Sequence, residues 1–446
     1  MRSCSPRRFN TCVLAAASVF ALSITNAAAQ ASGREVAPIA SFDSAWAAIG
    51  RTYWDAALLD GAWRVARDSL RAALGGTPTD DAVRDAIRAL IAVPKQSHFV
   101  LIPASAAPGG AKAVREPGAA GLEVRMIDGA LIAWRVPDSG VAHLAGIRPG
   151  DRIVRIDTVD ITTLQATLRT AANGDTAKAD HLLATFAGAR LAGEEGDEIA
   201  VQYVSARNEL RPVILERGPV DGTVTQYGNL PPFVVRASGE RLPFATGDAR
   251  QIAVVRFSGW FPVLIPTLDS LFFASRDAAG LIIDLRGNPG GVIGLIAGQS
   301  GHVLDTAISL GELKSRTGTI RFTANPRRVN PRGERTAPFS GPVAILVDEF
   351  SASTSEFFAT GMQALGRARI FGTRSAGMAL PAAMGRLPNG DVLMHVIADP
   401  VDPKGRRVEG VGVVPDAPTP LRINDLRAGR DAALDAARTW IASGAP

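Results

Sequence analysis

Two cysteines, Cys4 and Cys12, are all that this 446-residue chain contains, and both sit at its N-terminal extreme. Past Cys12 there is no residue for a disulfide, a thiolate metal site or a cysteine nucleophile. Lysine is scarce as well: Lys95, Lys112, Lys178, Lys314 and Lys404 are the whole set. The five histidines, His98, His143, His181, His302 and His395, lack the short spacings that hold a metal ion, so neither a metal nor another cofactor is expected. The later residues hold no block of basic side chains, and 48 Lys+Arg against 43 Asp+Glu leave a net charge of only +5. Nothing here tracks a phosphate backbone, which removes nucleic acid from the expected partners. Long apolar runs are missing too. The longest, Cys12 to Ile24, falls short of the roughly 20 residues that a stable membrane span requires. What the chain does have is a hydrophobic content of 46%, which rules out wholesale disorder, and enough length for roughly three domains of about 150 residues.

The first residues have the layout of an export signal. Arg2, Arg7 and Arg8 make a positive start, the apolar run follows, and Ala27-Ala28-Ala29 or Ala29-Gln30-Ala31 offers small residues for cleavage. Residues 1–31 are therefore expected to be removed as a signal peptide, leaving a periplasmic or secreted protein. Both cysteines would leave with it, and losing the three arginines takes the net charge from +5 to +2.

Periodicity divides the remainder. From Ser41 to about Ile91 apolar residues recur at helical spacing, with Thr79-Asp80-Asp81 as a helix start, and the pattern turns strand-like near Pro103. Residues 38–103 thus read as an N-terminal helical domain. In residues 115–217, Gly121-Leu122-Glu123-Val124, the strand-like Leu131 to Val136 and the segment Ala145-Gly-Ile-Arg-Pro-Gly-Asp151 resemble a PDZ domain. That resemblance implies a carboxylate-binding loop at Gly121, Leu122, Glu123 and Val124, which takes up an extended C-terminus by adding a strand. Residues 218–446 alternate strand and helix: strands at Ile252 to Phe257, Gly280 to Leu285, Val343 to Val347 and Ala368 to Phe371, helices at Pro262 to Ala274 and Thr354 to Leu365, and a last amphipathic helix from about Asn424 to Ile441. The fold class expected is a multidomain α/β protein.

Three segments of this last part carry candidate chemistry. In Leu281 to Val292 a buried strand runs into Arg286-Gly-Asn-Pro-Gly-Gly291, where glycines let backbone N–H groups approach a ligand closely enough to form an oxyanion hole. Ser353 stands between a strand and the start of a helix, where the helix dipole favours a developing alkoxide. The run Ser353-Thr354-Ser355-Glu356 equally fits a capping box, in which the serine only satisfies the first helical turn. The third segment is Arg406 to Pro420, with Glu409 beside a glycine-rich turn.

Together and in this order, the helical segment, the PDZ-like unit, Asp284-Leu-Arg-Gly-Asn-Pro-Gly-Gly291, Ser351-Ala-Ser-Thr-Ser-Glu356, Gly372-Thr-Arg-Ser-Ala-Gly377 and Glu409-Gly-Val-Gly-Val-Val-Pro-Asp416 resemble the tail-specific, or carboxyl-terminal processing, family of serine peptidases, which includes the tricorn core. The resemblance implies a ClpP/crotonase-like sheet in the peptidase core and an exported endopeptidase acting on proteins or peptides, engaged in part by their C-termini. It implies Ser353 as nucleophile, and the N–H of Thr354 with that of Gly290 or Gly291 as the oxyanion hole.

One branch of that family works by a serine–lysine dyad, with a Gly-Lys-Gly segment shortly after the nucleophile. This chain has Gly377-Met378-Ala379 there, and a thioether cannot accept a proton. Lys404, the one lysine beyond Ser353, lies in a polar stretch. The tricorn-like branch uses histidine, and the match is better: Ser97-His98 and Glu409 stand where that branch keeps a Ser-His pair and a glutamate. The resemblance then implies His98 as general base, oriented by Ser97 and Glu409. The alternative is a catalytically inactive relative that retains only PDZ peptide binding, and Met378 is the residue that favours it.

Overall fold

The computed structural model describes residues 38–106, 116–227, 232–244 and 249–444. The expected signal peptide, residues 1–31, lies outside them. Among the described residues no helix is long and apolar enough to cross a membrane. The protein is a mixed α/β, multidomain chain that separates into two compact units.

The first unit consists mainly of residues 113–220. An antiparallel sheet runs in the order Glu123–Ile127, Ala130–Arg135, Arg152–Ile156, Glu198–Val204, Leu210–Glu216, with Val159–Asp160 paired to Arg152–Ile156. In Glu198–Val204 the side chains alternate, Ile199, Val201 and Tyr203 being buried, as a sheet with one covered face requires. Helices Ile161–Ala171 and Thr176–Leu191 are each started by an aspartate: Asp160 accepts from the Thr163 N–H at 2.9 Å, and Asp175 from the Lys178 N–H at 3.0 Å. Gly121 has φ +71, and a Cβ there would come within 3.1 Å of the Val141 nitrogen, at the start of the short helix Val141–Leu144.

The second unit is built on a six-stranded sheet in the order Ala237–Pro243, Gln251–Phe257, Gly280–Asp284, Val343–Val347, Arg369–Gly372, Ala417–Pro418, in which all neighbours are parallel except the first pair. Gly280–Asp284 and Val343–Val347 are buried at every position. Parallel strands covered on both faces have no polar side to show. Leu281, Ile283, Val343, Ile345 and Val347 face one core, where Leu268 and Phe272 of helix Ile265–Ala274 meet Phe357, Phe358 and Met362 of helix Thr354–Ala364. Ile282, Ala344 and Leu346 face the other, covered by Ala433, Ala437 and Ile441 of helix Ala432–Ala442.

The N-terminal helices Ile39–Thr52 and Asp80–Ala92 form where helical periodicity places them, the second capped by Thr79, whose hydroxyl accepts from the Ala82 N–H at 3.2 Å. Phe42, Ile49, Trp63, Ile87 and Leu90 share one core with Leu380, Leu387, Leu393 and Val396. Strand Val100–Ile102 adds antiparallel to Val392–Val396, with Val100 opposite Met394. The bidentate pair of Arg84 with the fully buried Asp391, at 2.9 and 3.1 Å, locks the same junction. This docking carries residues 96–98 to the far part of the sequence.

One expectation is corrected. The C-terminal stretch is not one helix from Asn424 to Ile441 but two, Ile423–Arg427 and Ala432–Ala442. Gly429 at φ +67 ends the first in a left-handed turn, and Asp431 begins the second by accepting from the Leu434 N–H at 3.2 Å. Residues 422–429 cluster with the first unit and residues 430–446 with the second, so the break falls where the chain passes between them.

Candidate active site

The parallel strands deliver their loops to one end of the sheet. Val343–Val347 leads through Asp348 to Ala352 into Ser353, and Gly280–Asp284 leads into Arg286 to Gly291. The two loops are pinned together. The Gly287 N–H donates to Asp348 Oδ1 at 2.8 Å, the Ser351 hydroxyl to the Leu285 carbonyl at 2.7 Å, and the Ala352 N–H to the Asn288 carbonyl at 3.1 Å.

Ser353 has φ 54 and ψ −115, a conformation that a non-glycine residue adopts only under compulsion. Among the described residues seven non-glycine residues have positive φ; four are Asp or Asn, which tolerate it, and the other three are Lys95, His98 at φ 61, and Ser353. Two of those three are the residues that sequence singles out for nucleophile and base.

Gly290, at φ +100, packs directly beneath this turn. A Cβ there would lie 2.9 Å from the Ala352 carbonyl oxygen, from Ser353 Cβ and from the Thr354 nitrogen, so only glycine fits. Its N–H donates to Asn288 Oδ1 at 3.0 Å, whereas its carbonyl accepts from the Trp260 N–H at 2.9 Å. In a trans peptide the C=O and the following N–H point to opposite sides, so the Gly291 N–H is directed away from Trp260. The Gly291 carbonyl accepts from the Thr354 hydroxyl at 2.9 Å, which fastens this segment to the first turn of the helix.

Glu356, which the sequence presents only as the far end of a capping box, is the buried centre of the next layer. Oε2 accepts from the Ser353 N–H at 3.0 Å and the Met378 N–H at 2.9 Å, while Oε1 accepts from the Gly377 N–H at 2.6 Å and the Ser375 hydroxyl at 2.5 Å. Complete burial, with a smaller push from the Glu409 charge, raises its carboxyl to about 7 against the pull of the Ser375, Gly377 and Ser353 donors. Ser375 in turn accepts from the Val413 N–H at 2.6 Å. The Glu three residues after a serine was the available signal for Glu356; nothing local pointed to Ser375.

From here a hydrogen-bonded path reaches the remaining candidates. The Ser353 N–H donates to the Met378 carbonyl at 2.8 Å, and the Ala379 N–H, one residue on, donates to Glu409 Oε2 at 2.8 Å. Glu409 accepts from the Ser97 N–H on Oε1 and from the Ser97 hydroxyl on Oε2, both at 3.0 Å. The same hydroxyl lies 2.7 Å from His98 Nδ1. Because the Ser97 proton goes to Glu409, its oxygen is left to accept from Nδ1–H, and Nε2 keeps the lone pair. Burial raises the Glu409 carboxyl above its usual range, opposed by Ser97 and Ala379. His98 and Glu409 are both buried, at 4% and 8% exposure.

Ser353, Thr354, Gly290, Gly291, His98, Ser97 and Glu409 therefore lie in one bonded neighbourhood of the second unit. Lys404 does not join it. That lysine is exposed, in a turn closed by its own N–H donating to Asp402 Oδ1 at 2.8 Å. Gly121, Leu122, Glu123 and Val124 belong to the first unit, Glu123 opening the strand Glu123–Ile127.

Residues 265–419 match the family model described as Peptidase family S41. The carboxyl-terminal-processing protease of Synechocystis sp. is 27% identical over 284 residues, 62% of this chain and 56% of that protein. The chloroplastic carboxyl-terminal-processing peptidase 3 of Arabidopsis thaliana is 24% identical over 297 residues, 65% of this chain and 50% of that protein. The chain thus spans about half the length of the curated relatives it matches. Among solved structures, the photosystem II D1 C-terminal processing protease superposes with a TM-score of 0.58 at 22% identity, covering 92% of this chain and 99% of that one. Mature CPAF superposes with a TM-score of 0.59 at 15% identity, covering 92% and 98%. At such identities these structures share the fold.

Proposed function

We propose that the chain, whose residues 265–419 match the peptidase family S41 model and which is similar to carboxyl-terminal-processing proteases, is an exported serine endopeptidase that cleaves proteins or peptides through an acyl-enzyme on Ser353. The observation that carries this reading is the bonded path from Ser353 through Met378 and Ala379 to Glu409, Ser97 and His98.

In this mechanism Ser353 Oγ attacks the scissile carbonyl carbon while its proton passes to His98 Nε2. The Nδ1–H to Ser97 to Glu409 chain holds the ring in that tautomer and offsets the charge of the imidazolium. The oxyanion is received by the N–H groups of Thr354 and Gly291; Gly290, whose N–H is committed to Asn288, serves by its lack of a side chain. Collapse of the tetrahedral adduct breaks the C–N bond, and His98 gives the proton to the departing amine. Water then repeats the sequence on the acyl-enzyme. The histidine arrangement supports the tricorn-like branch over the serine–lysine branch, and the PDZ-like unit would present C-termini of substrates.

The strained Ser353 backbone favours this over an inactive peptide-binding relative, since such a turn is costly to keep without use. A fluorophosphonate serine reagent separates the two. The active reading expects one covalent adduct, mapped to Ser353 and abolished in Ser353→Ala. An unlabelled wild-type chain would leave the inactive reading standing.

A further inference from the structure

Beyond the ends of strands Gln251–Phe257 and Gly280–Asp284 the two chain segments meet again. Trp260 and Gly291 form a parallel bridge, in which the Trp260 N–H donates to the Gly290 carbonyl at 2.9 Å and the Trp260 carbonyl accepts from the Val292 N–H at 2.7 Å. The main chain of Trp260 thus holds Gly291 from both sides. A Cβ on Gly291 would collide with the Trp260 carbonyl, so the approach requires glycine. The side chain of Trp260 turns toward the helix that begins at Thr354. Its indole N–H donates to Ser355 Oγ at 2.9 Å, and both residues are buried. Phe257 and Phe358 pack on the ring, their centroids 4.9 and 5.0 Å away, and fix its orientation.

The peptide that joins Gly290 to Gly291 has a glycine on each side, so it can turn over as a unit against little steric resistance. As observed, its carbonyl faces Trp260 and its N–H faces away. Turned over, it would aim an oxygen, in place of a donor, at the developing oxyanion. Two side chains brace this loop against the helix in opposite directions: the Thr354 hydroxyl reaches the Gly291 carbonyl, and the Trp260 indole reaches Ser355. Neither bond takes part in the attack on a substrate. Both set where the N–H groups of Gly291 and Thr354 stand.

We propose that Trp260 is a positioning residue for the oxyanion hole: its main-chain N–H holds the Gly290–Gly291 peptide in the donating orientation, and its indole bond to Ser355 fixes that N–H relative to Thr354. The inference rests on the peptidase reading and deepens it, by assigning a residue remote from the nucleophile to the stabilisation of the negative oxygen.

Labelling of the full chain by a fluorophosphonate and by its thiono analogue, with sulfur in place of the phosphoryl oxygen, tests it. In both reactions Ser353 Oγ forms a bond to phosphorus, fluoride leaves and His98 takes the proton. Only the oxygen reagent offers the hole a strong hydrogen-bond acceptor, so the ratio of the two rate constants reports the hole, and the fraction of folded protein cancels from it. Trp260→Phe keeps a ring but deletes the indole N–H; Ser355→Ala deletes its acceptor. Each should lower the ratio about fivefold or more, a part of the roughly 10²- to 10³-fold cost of losing an oxyanion donor outright. The double variant should be no worse than the more affected single, because one bond is lost in all three. The two substitutions act on opposite ends of that bond, so either carries the test where the other does not fold. A ratio equal to that of wild type in either folded variant, or losses that multiply in the double, overturns the proposal and leaves the peptidase reading standing. A wild-type chain that neither reagent labels overturns the peptidase reading and this inference with it.

Discussion

Glu409 holds Ser97 twice, by its backbone N–H and by its hydroxyl, both at 3.0 Å and across 312 positions of sequence. The grip has a chemical consequence, because a hydroxyl that donates to a carboxylate can only accept from the neighbouring imidazole. Which nitrogen of His98 keeps its lone pair is thus decided by Glu409, acting through Ser97.

Replacing Ser353 with alanine is expected to abolish peptide cleavage and leave the fold in place, since its N–H contacts to Glu356 and Met378 are backbone interactions. Turnover of a casein or peptide substrate, with circular dichroism as control, measures both. Unchanged turnover would refute Ser353 as nucleophile.

His98→Ala should lower kcat/KM by roughly 10⁴- to 10⁶-fold, the size found on losing a member of a hydroxyl–imidazole–acid set. Glu409→Gln should cost less, because Ser97 can still be held by one oxygen. Lys404→Ala should be silent, as that side chain is exposed in its own turn. Activity that survives without His98 and disappears without Lys404 would reverse the assignment of the base.

In Glu356→Gln the amide NH₂ must face two donors whichever way it turns, the Ser353 and Met378 N–H groups or the Gly377 N–H and Ser375 hydroxyl. An isosteric change should therefore cost about 1–3 kcal/mol of stability near neutral pH, less the relief of a buried charge, and most of the activity. The pH dependence has a definite sign. With its carboxyl raised from 4.5 to about 7 in the fold, Glu356 contributes stability that is fully present below about pH 4.5 and is lost as pH rises through 7. Urea denaturation between pH 4.5 and 7.5 should show that fall in wild type and not in the variant; parallel curves would contradict it.

Gly290→Ala should place a methyl within 2.9 Å of Ser353 Cβ and the Thr354 nitrogen, at a φ of +100 that alanine resists. A loss of about 1–3 kcal/mol from backbone strain alone is expected, with acylation impaired further by displacement of the Ser353 turn. Burst kinetics with an activated ester would show the acylation step slowed; a normal burst would not fit.

The periodic stretches of sequence were sufficient for most elements, because burial imposes its own spacing. Val343–Val347, Thr354–Ala364 and the Thr79-capped helix stand where apolar pattern and cap residues put them. The C-terminal helix went wrong at Gly429, since apolar periodicity continues across a break that depends on one residue's φ. Ser97, His98 and Glu409 were expected from the resemblance alone, their spacing carrying no local signal, whereas Ser353 had in addition its place between a strand and a helix start.

Sequence alone determined the chemical inventory: no cysteine past residue 12, one lysine beyond Ser353, methionine where an amine could have stood, and glycines where backbone must come close. Tertiary structure alone decided which members of that inventory meet. Antiparallel pairing of Val100–Ile102 with Val392–Val396 brings Ser97 to Glu409, and Glu356 binds the turn at Ser353 to the loop at Met378. The reason is physical. Helices and strands are local solutions to burying apolar side chains, whereas a buried carboxylate must find its donors wherever packing leaves them, at whatever separation along the chain.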